Sequence, residues 1–261
     1  MDEYHPDTPQ HHIGILIPTT SRNRDWNKIH QPHFCNLFLK HFIDTRDRQH
    51  KYTIYLVVDH DDPLYTNPTE KKALLAIFDS LKTRNIFLKL IEAKNIPKGH
   101  VSIMWNLAFK NAYDDGCDYF FQSGDDIVFM QNGWVDASIK ALKKNNNIGL
   151  TGPMDYDRYI SGPHSQPGGN RFIQTQSFVS RKHMEIFGFY FPEQVKNWYC
   201  DDWMTFSYYP QFYYSIPFFC RNLGGPPRYK IIGSLDKNDP TRQICFELVS
   251  ESKNKILDFI L

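Results

Sequence analysis

The sequence predicts an α/β fold in which a mainly parallel sheet is flanked by helices, and three observations support it. Short, β-branched apolar runs recur over the first 151 residues, and each stops abruptly in a polar loop, as buried strands do. Between them lie segments whose apolar residues repeat at helical spacing. Strand and helix alternate in that order, which calls for right-handed crossovers and helices on both faces of the sheet.

Residues 1–11 form a polar lead, expected to be mobile. Ile13 to Ile17 reads as the first buried strand and gives way to Pro18-Thr19-Thr20-Ser21. Tyr52 to Val58 is the second, ending in Asp59-His60-Asp61-Asp62-Pro63, with Ala73, Leu74, Ile77, Phe78 and Leu81 on one face of the helix behind it. Ile86 to Ile91 is the third, followed by a helix marked by Val101, Trp105, Ala108 and Ala112 that ends near Gly116. Tyr119 to Phe121 is the fourth and runs into Ser123-Gly124-Asp125-Asp126. Trp134, Val135, Ile139 and Leu142 mark another helix, and a short strand is expected at Ile148 to Thr151.

The second half changes character. Gly152 to Asn170 is rich in Gly, Pro and Ser and too long for an ordinary connection, so it is a candidate substrate loop. Alternation resumes over Phe172 to Val179, Ser180 is placed to cap a short helix ending before Gly188, and 208–229 is dense in aromatics, Pro and Gly. The expected organisation is one continuous domain with a first part over 12–151 and a mixed, substrate-facing subdomain over 152–261.

Composition narrows the function. Lys and Arg total 30 against 29 Asp and Glu, a net charge of +1, so a polyanion such as nucleic acid is not an expected partner. With 41% hydrophobic residues, there is bulk for a real core. Five cysteines lie far apart with no CxxC pair, so reduced, buried thiols are expected rather than a zinc cluster or a disulfide framework. No apolar run reaches the roughly 18 residues of a membrane span, and no signal peptide is visible, so a cytoplasmic location is expected.

Ligands of open parallel sheets sit beyond the carboxyl ends of the strands, where the sequence puts Thr19 to Arg22, Asp59 to Asp62 and Asp125-Asp126. Asp61-Asp62 alone reads equally well as a solvated turn or a helix cap. Asp125-Asp126 is different, because two carboxylates on a tight turn between apolar segments are costly unless a cation or donors compensate. Oxygen ligands of that kind suit Mg²⁺ or Mn²⁺.

These residues resemble the nucleotide-sugar glycosyltransferases of the GT-A (Rossmann-like) fold. The resemblance runs from about residue 12 to 210. It is carried by Ile13-Gly14-Ile15-Leu16-Ile17-Pro18-Thr19-Thr20, the acidic end of strand two, the helix entry from Gly99 to Asn106, and Tyr119-Phe120-Phe121-Gln122-Ser123-Gly124-Asp125-Asp126, which is similar to the family's DxD metal motif. Trp198-Tyr199-Cys200-Asp201-Asp202-Trp203-Met204 is similar to the Asp-Asp-Trp motif that holds the base in inverting members of the N-acetylglucosaminyltransferase I type. The resemblance implies that Asp126 binds Mn²⁺ or Mg²⁺, that Asp125 touches the ribose or a metal-bound water, and that Asp59 accepts from uracil. It assigns Pro18, Thr19, Thr20, Arg22, Asp62 and Asn106 to the nucleotide sugar. Asp202 becomes the base, with Asp201 structural beside it. Gly124 stands where many members have an acidic residue, Trp105 where an Arg is frequent, and no His follows His183, so a late histidine ligand is missing.

Trp198, Trp203 and His164 are candidate acceptor contacts, against the simpler readings of core aromatics and an exposed histidine. Arg228 is a candidate for closing over a diphosphate, against the simpler reading of a solvated basic turn. The expected function is metal-dependent, inverting transfer of a sugar from a UDP-sugar to a hydroxyl of a glycan or glycoconjugate. The alternatives are a retaining GT-A transferase, a carboxylate-metal phosphodiesterase and a non-catalytic carbohydrate-binding protein.

Overall fold

The computed structural model describes residues 10–161, 170–229 and 238–261. Its main sheet contains β1 (His12–Thr19), β2 (Lys51–Asp59), β3 (Ile86–Ala93), β4 (Tyr119–Gln122) and β7 (Phe178–Ser180) in the order β3-β2-β1-β4-β7. The first four are parallel and β7 is antiparallel to β4. The helices are α1 (Lys40–Thr45), preceded by a π-helical turn at Phe34–Leu39, then α2 (Pro68–Leu81), α3 (Val101–Asp114), α4 (Trp134–Lys143), α5 (Tyr156–Ser161), α6 (Lys182–Phe187), α7 (Cys200–Tyr208) and α8 (Pro240–Ile260). A second, mixed sheet joins β5 (Ile127–Phe129), β8 (Phe219–Asn222) and β6 (Met154–Asp155) in the order β5-β8-β6, with β5 antiparallel and β6 parallel to β8.

Strand alternation explains why both faces are covered. Ile13, Ile15 and Ile17 of β1 join Tyr52, Ile54, Leu56 and Val58 of β2 in a core roofed by Phe34, Phe38, Phe42, Leu74 and Phe78. Leu16, Tyr55 and Val57 point the other way, into a core shared with Ala108 and Phe109 of α3, Trp203 of α7 and Val249 of α8.

Three expectations from residue 148 onward fail for physical reasons. Ile148 to Thr151 is not a strand; Leu150 and Thr151 make isolated bridges to Tyr213 and Phe178. Phe172 to Val179 is extended as a strand only from Phe178, because its glutamines turn inward to bond the backbone: Gln174 Nε2 donates to the Pro153 and Gln176 carbonyls at 2.9 and 2.7 Å. Arg181, not Ser180, is the N-cap of α6, although Ser180 Oγ accepts from Lys182 N at 3.1 Å. The 21 residues of α8 carry a helix that the sequence reading passed over. Among the described residues no helix is long and apolar enough to cross a membrane.

Strand order reverses between β1 and β4, so the crevice of this sheet opens beyond Thr19 on one side and Gln122 on the other.

Candidate active site

Two adjoining cavities lie at that reversal. The first, about 330 Å³, is lined by Pro18, Thr19 and Thr20 from the end of β1, Asp59 from the end of β2, and the Gly124-Asp125-Asp126 turn after β4. The second, about 510 Å³, is lined by Trp198, Asp201, Asp202, Arg158 and Phe191. Val101, Trp105, Asn197 and Asn222 line both.

The β4 turn is built to hold its carboxylates. Gln176 Oε1 accepts from Gly124 N at 3.0 Å, and the Asp126 carbonyl accepts from Leu223 N at 3.1 Å, which continues the β5–β8 pairing into the turn. Asp125 is buried, and its charge is met from within the protein: both Arg228 terminal nitrogens lie 2.7 Å from its oxygens, and Thr19 Oγ1 donates to it at 2.5 Å. Burial opposes the Arg228 charge and Asp125 overrides it, raising the Arg228 pKa. The solvated-turn reading of Arg228 is therefore overturned: the side chain is 12% exposed and stacks on Trp26, with 5.4 Å to the ring centre.

Asp126 has no such compensation. Burial, followed by the charge of Asp125, pushes its carboxyl up to about 6. Among the described residues no other side chain donates a hydrogen bond to it. Two glycines make its room: a Cβ on Gly124 would sit 2.5 Å from Asp126 Oδ1, and one on Gly224 would sit 1.7 Å from Oδ2. An acidic side chain at position 124 would collide with Asp126 as it is placed here. No cluster of three or more His, Cys, Asp or Glu ligands occurs among the described residues. Asp126 is the residue that would hold a divalent ion here, and a single carboxylate with open positions suits Mg²⁺, which usually keeps several waters.

Asp59 is buried and doubly engaged. The Tyr229 hydroxyl donates to Oδ2 and Lys98 Nζ lies 3.3 Å from Oδ1. Tyr229 and Arg228 belong to one strap, 223–229, held from below by Arg24 Nη2 on the Pro226 carbonyl at 2.7 Å and Asn23 Nδ2 on the Arg228 carbonyl at 2.5 Å. Arg22 stands at the rim, 2.6 Å from Asp61 and 3.8 Å from Asp59.

In the second cavity, Asp201 and Asp202 lie in the first turn of α7, where the helix dipole favours carboxylates. Neither acid is the N-cap of α7; that position is Tyr199, held at φ 70° without a side-chain capping bond. That backbone region is strained for a bulky residue. Asp201 Oδ2 lies 3.8 Å from Arg158 Nη2. Burial and then the charge of Asp201 push Asp202 up to about 7, which suits a proton acceptor near neutrality.

Three expected site residues do other work. Asp62 is fully buried and accepts from Thr20 Oγ1, Ser21 N and Oγ, Leu64 N and Tyr65 N at 2.7–3.0 Å, so it ties the β1 and β2 loops together and has no capacity left for a ligand. Asn106 bonds the backbone of Tyr190 and Phe191 at 2.8–3.0 Å and lines neither cavity. Trp203 is fully buried in the core, its indole donating to Ser252 Oγ at 3.1 Å. His164 lies outside the described residues, as do residues 1–9 of the lead. Arg24, Gln176, Tyr229 and the wall residues Asn197 and Asn222 were missed; the Gly224-Gly225-Pro226-Pro227 run beside two aromatic-flanked cations was the one local signal for the strap.

The sheet order, the crevice at its reversal and the second mixed sheet define the GT-A fold class. No protein-family model matches the chain, and no characterised protein matches it in sequence. Among solved structures the chain is similar to S. aureus TarS 1–349 in complex with UDP, with a TM-score of 0.57 at 11% identity, covering 92% of this chain and 64% of that one. It is also similar to a structure of S. aureus TarS with a TM-score of 0.50 at 11% identity, covering 78% of this chain and 35% of that one. The chain thus spans less than two thirds of either.

Proposed function

We propose that this chain is a glycosyltransferase that moves one sugar from a UDP-sugar to a hydroxyl of a glycan or glycoconjugate, with inversion at the anomeric carbon. The observation that carries this is the pair of adjoining cavities, one with Asp126 at its floor and the other with Asp202, separated only by a shared wall. A GT-A fold shared with a protein crystallised in complex with UDP supports it.

In this reading Pro18, Thr19 and Thr20 line the nucleoside pocket, Asp59 accepts from the uracil N–H after Tyr229 withdraws, and Arg22 closes its rim. Arg24 and Arg228 face the diphosphate. Mn²⁺ or Mg²⁺ held by Asp126 would supply Lewis-acid stabilisation of the diphosphate leaving group. Asp202 takes the acceptor proton as the hydroxyl oxygen bonds to the anomeric carbon; the carbon–oxygen bond to the diphosphate breaks, and its electron pair leaves with UDP. Trp198 lines the acceptor side and Arg158 fixes Asp201. A two-ion phosphodiesterase is disfavoured by the lack of a cluster of acidic ligands among the described residues.

Calorimetric titration with UDP and ADP, each with Mn²⁺ and with EDTA, tests the donor half. UDP is expected to bind more tightly than ADP and more tightly with metal; no UDP binding overturns the proposal. NMR of the product's anomeric configuration tests the stereochemistry, and retention overturns inversion.

A further inference from the structure

The wall shared by the two cavities consists of Val101, Trp105, Asn197 and Asn222 and carries no ionisable side chain. Trp105 is fixed in place: its indole N–H donates to the Ser123 carbonyl at 3.3 Å, and its ring lies 5.4 Å from that of Phe191. Asn197 commits its amide nitrogen to the Gly99 carbonyl at 3.4 Å, and Asn222 commits its amide oxygen to Gly224 N at 3.1 Å. Asn197 Oδ1 and Asn222 Nδ2 are left without a partner among the described residues, one acceptor and one donor. Carboxylates stand on both sides, Asp125 and Asp126 in one cavity and Asp201 and Asp202 in the other. Of the three arginines that line the cavities, Arg228 and Arg158 already face Asp125 and Asp201, and Arg24 is held by the Asn23, Gly224 and Pro226 carbonyls.

We propose that this wall seats the transferred sugar and selects a neutral one, a hexose or N-acetylhexosamine, against a uronic acid. The inference rests on the UDP-sugar reading above. A pyranose presents an apolar C–H face and a rim of hydroxyls that both donate and accept. Val101 and the Trp105 ring suit the face, and a free amide oxygen and a free amide N–H suit the rim. A carboxylate on the sugar would enter a space between two acidic pairs with no cation on the wall to meet it, and like charges at short range repel.

The test is titration of the full chain, with Mn²⁺, by UDP, UDP-glucose, UDP-N-acetylglucosamine and UDP-glucuronic acid, repeated with Asn197→Ala and Trp105→Leu. The better neutral sugar nucleotide is expected to bind at least about tenfold more tightly than UDP-glucuronic acid. Each variant is expected to weaken that neutral sugar nucleotide about fivefold while changing UDP affinity by less than about twofold, so UDP also reports that the variant is folded. Equal or tighter binding of UDP-glucuronic acid, or variants that weaken UDP as much as the sugar nucleotide, would overturn the proposal. Absence of UDP binding in the wild type would instead overturn the nucleotide reading, and the sugar seat with it.

Discussion

Arg228 and Asp125 form a two-point ion pair, each terminal guanidinium nitrogen 2.7 Å from a carboxylate oxygen, between residues 103 positions apart. The pair closes the strap onto the β4 turn and supplies the counter-charge that a buried acidic turn requires.

Removing one partner of such a pair leaves the other buried and unpaired. Arg228→Ala is expected to destabilise the fold by about 2–4 kcal/mol, and adding Asp125→Asn to recover much of that loss. Urea denaturation of the two single variants and the double variant checks it; additive losses would mean that the pair contributes nothing as a pair.

Tyr229 donates to Asp59 Oδ2, an oxygen that a uracil N–H would compete for. Tyr229→Phe frees that oxygen and is expected to tighten UDP binding about threefold in calorimetry. Weaker binding would show that the phenol assists the nucleotide rather than competing with it.

Asp126 is the one turn carboxylate that no protein cation compensates by direct pairing. Asp126→Ala is expected to leave UDP affinity in EDTA within about twofold of wild type and to abolish the gain that Mn²⁺ gives. A variant that still gains from Mn²⁺ would place the ion elsewhere.

Asp202 must be ionised to accept a proton, and its pKa is raised to about 7. Activity is therefore expected to rise with pH and level off above that value, and Asp202→Asn to lower turnover roughly 10²–10⁴-fold with UDP-sugar binding retained. Its surroundings are Asp201 on its own helix, Arg158 of α5, Tyr199 before the helix and Cys245 of α8. Because the folded pKa lies above the unfolded one, the folded state binds the extra proton between about pH 4 and 7, and stability is lost as pH rises through that window. Asn carries no charge to bury, so the stability of Asp202→Asn relative to wild type is expected to be greater at about pH 8 than at about pH 4, by up to about 4 kcal/mol across the full window. Denaturation curves at the two pH values decide it.

Asn106 separates structure from binding. Asn106→Ala strands the Tyr190 and Phe191 N–H groups and is expected to cost about 2 kcal/mol of stability with UDP affinity unchanged. A selective loss of UDP binding in a fully stable variant would return Asn106 to the site.

The first half of the fold was legible because its signals are local. Ile13 to Ile17 and Tyr52 to Val58 state their burial in their own composition, and strand order fixes which loops meet. The loop ends Thr19, Asp59 and Asp125 could thus be placed around one crevice without knowing any contact. What the sequence hid depends on partners far along the chain. Asp62 and Asn106 are the same residue types whether they bind a nucleotide or bolt two loops together, and only the donors that reach them decide. Trp203 and Trp198 sit five residues apart in one aromatic motif, yet α7 turns Trp203 into the core while Trp198, ahead of the helix, lines the cavity. For Arg228 the sequence left a diphosphate contact and a solvated turn side by side, because the carboxylate that buries it is brought in by the pairing of β8 with β5.

That long connection has a consequence for how the protein is made. The ribosome delivers the wall of the first cavity, through Asp126, well before the strap that covers it. A nascent chain halted before β8 carries the parallel sheet and both turn carboxylates but not Arg228, and the acidic turn must wait in water until its counter-ion is translated. Assembly of that cavity is thereby tied to completion of the second sheet, so unfinished chains would present a cleft that lacks its strap.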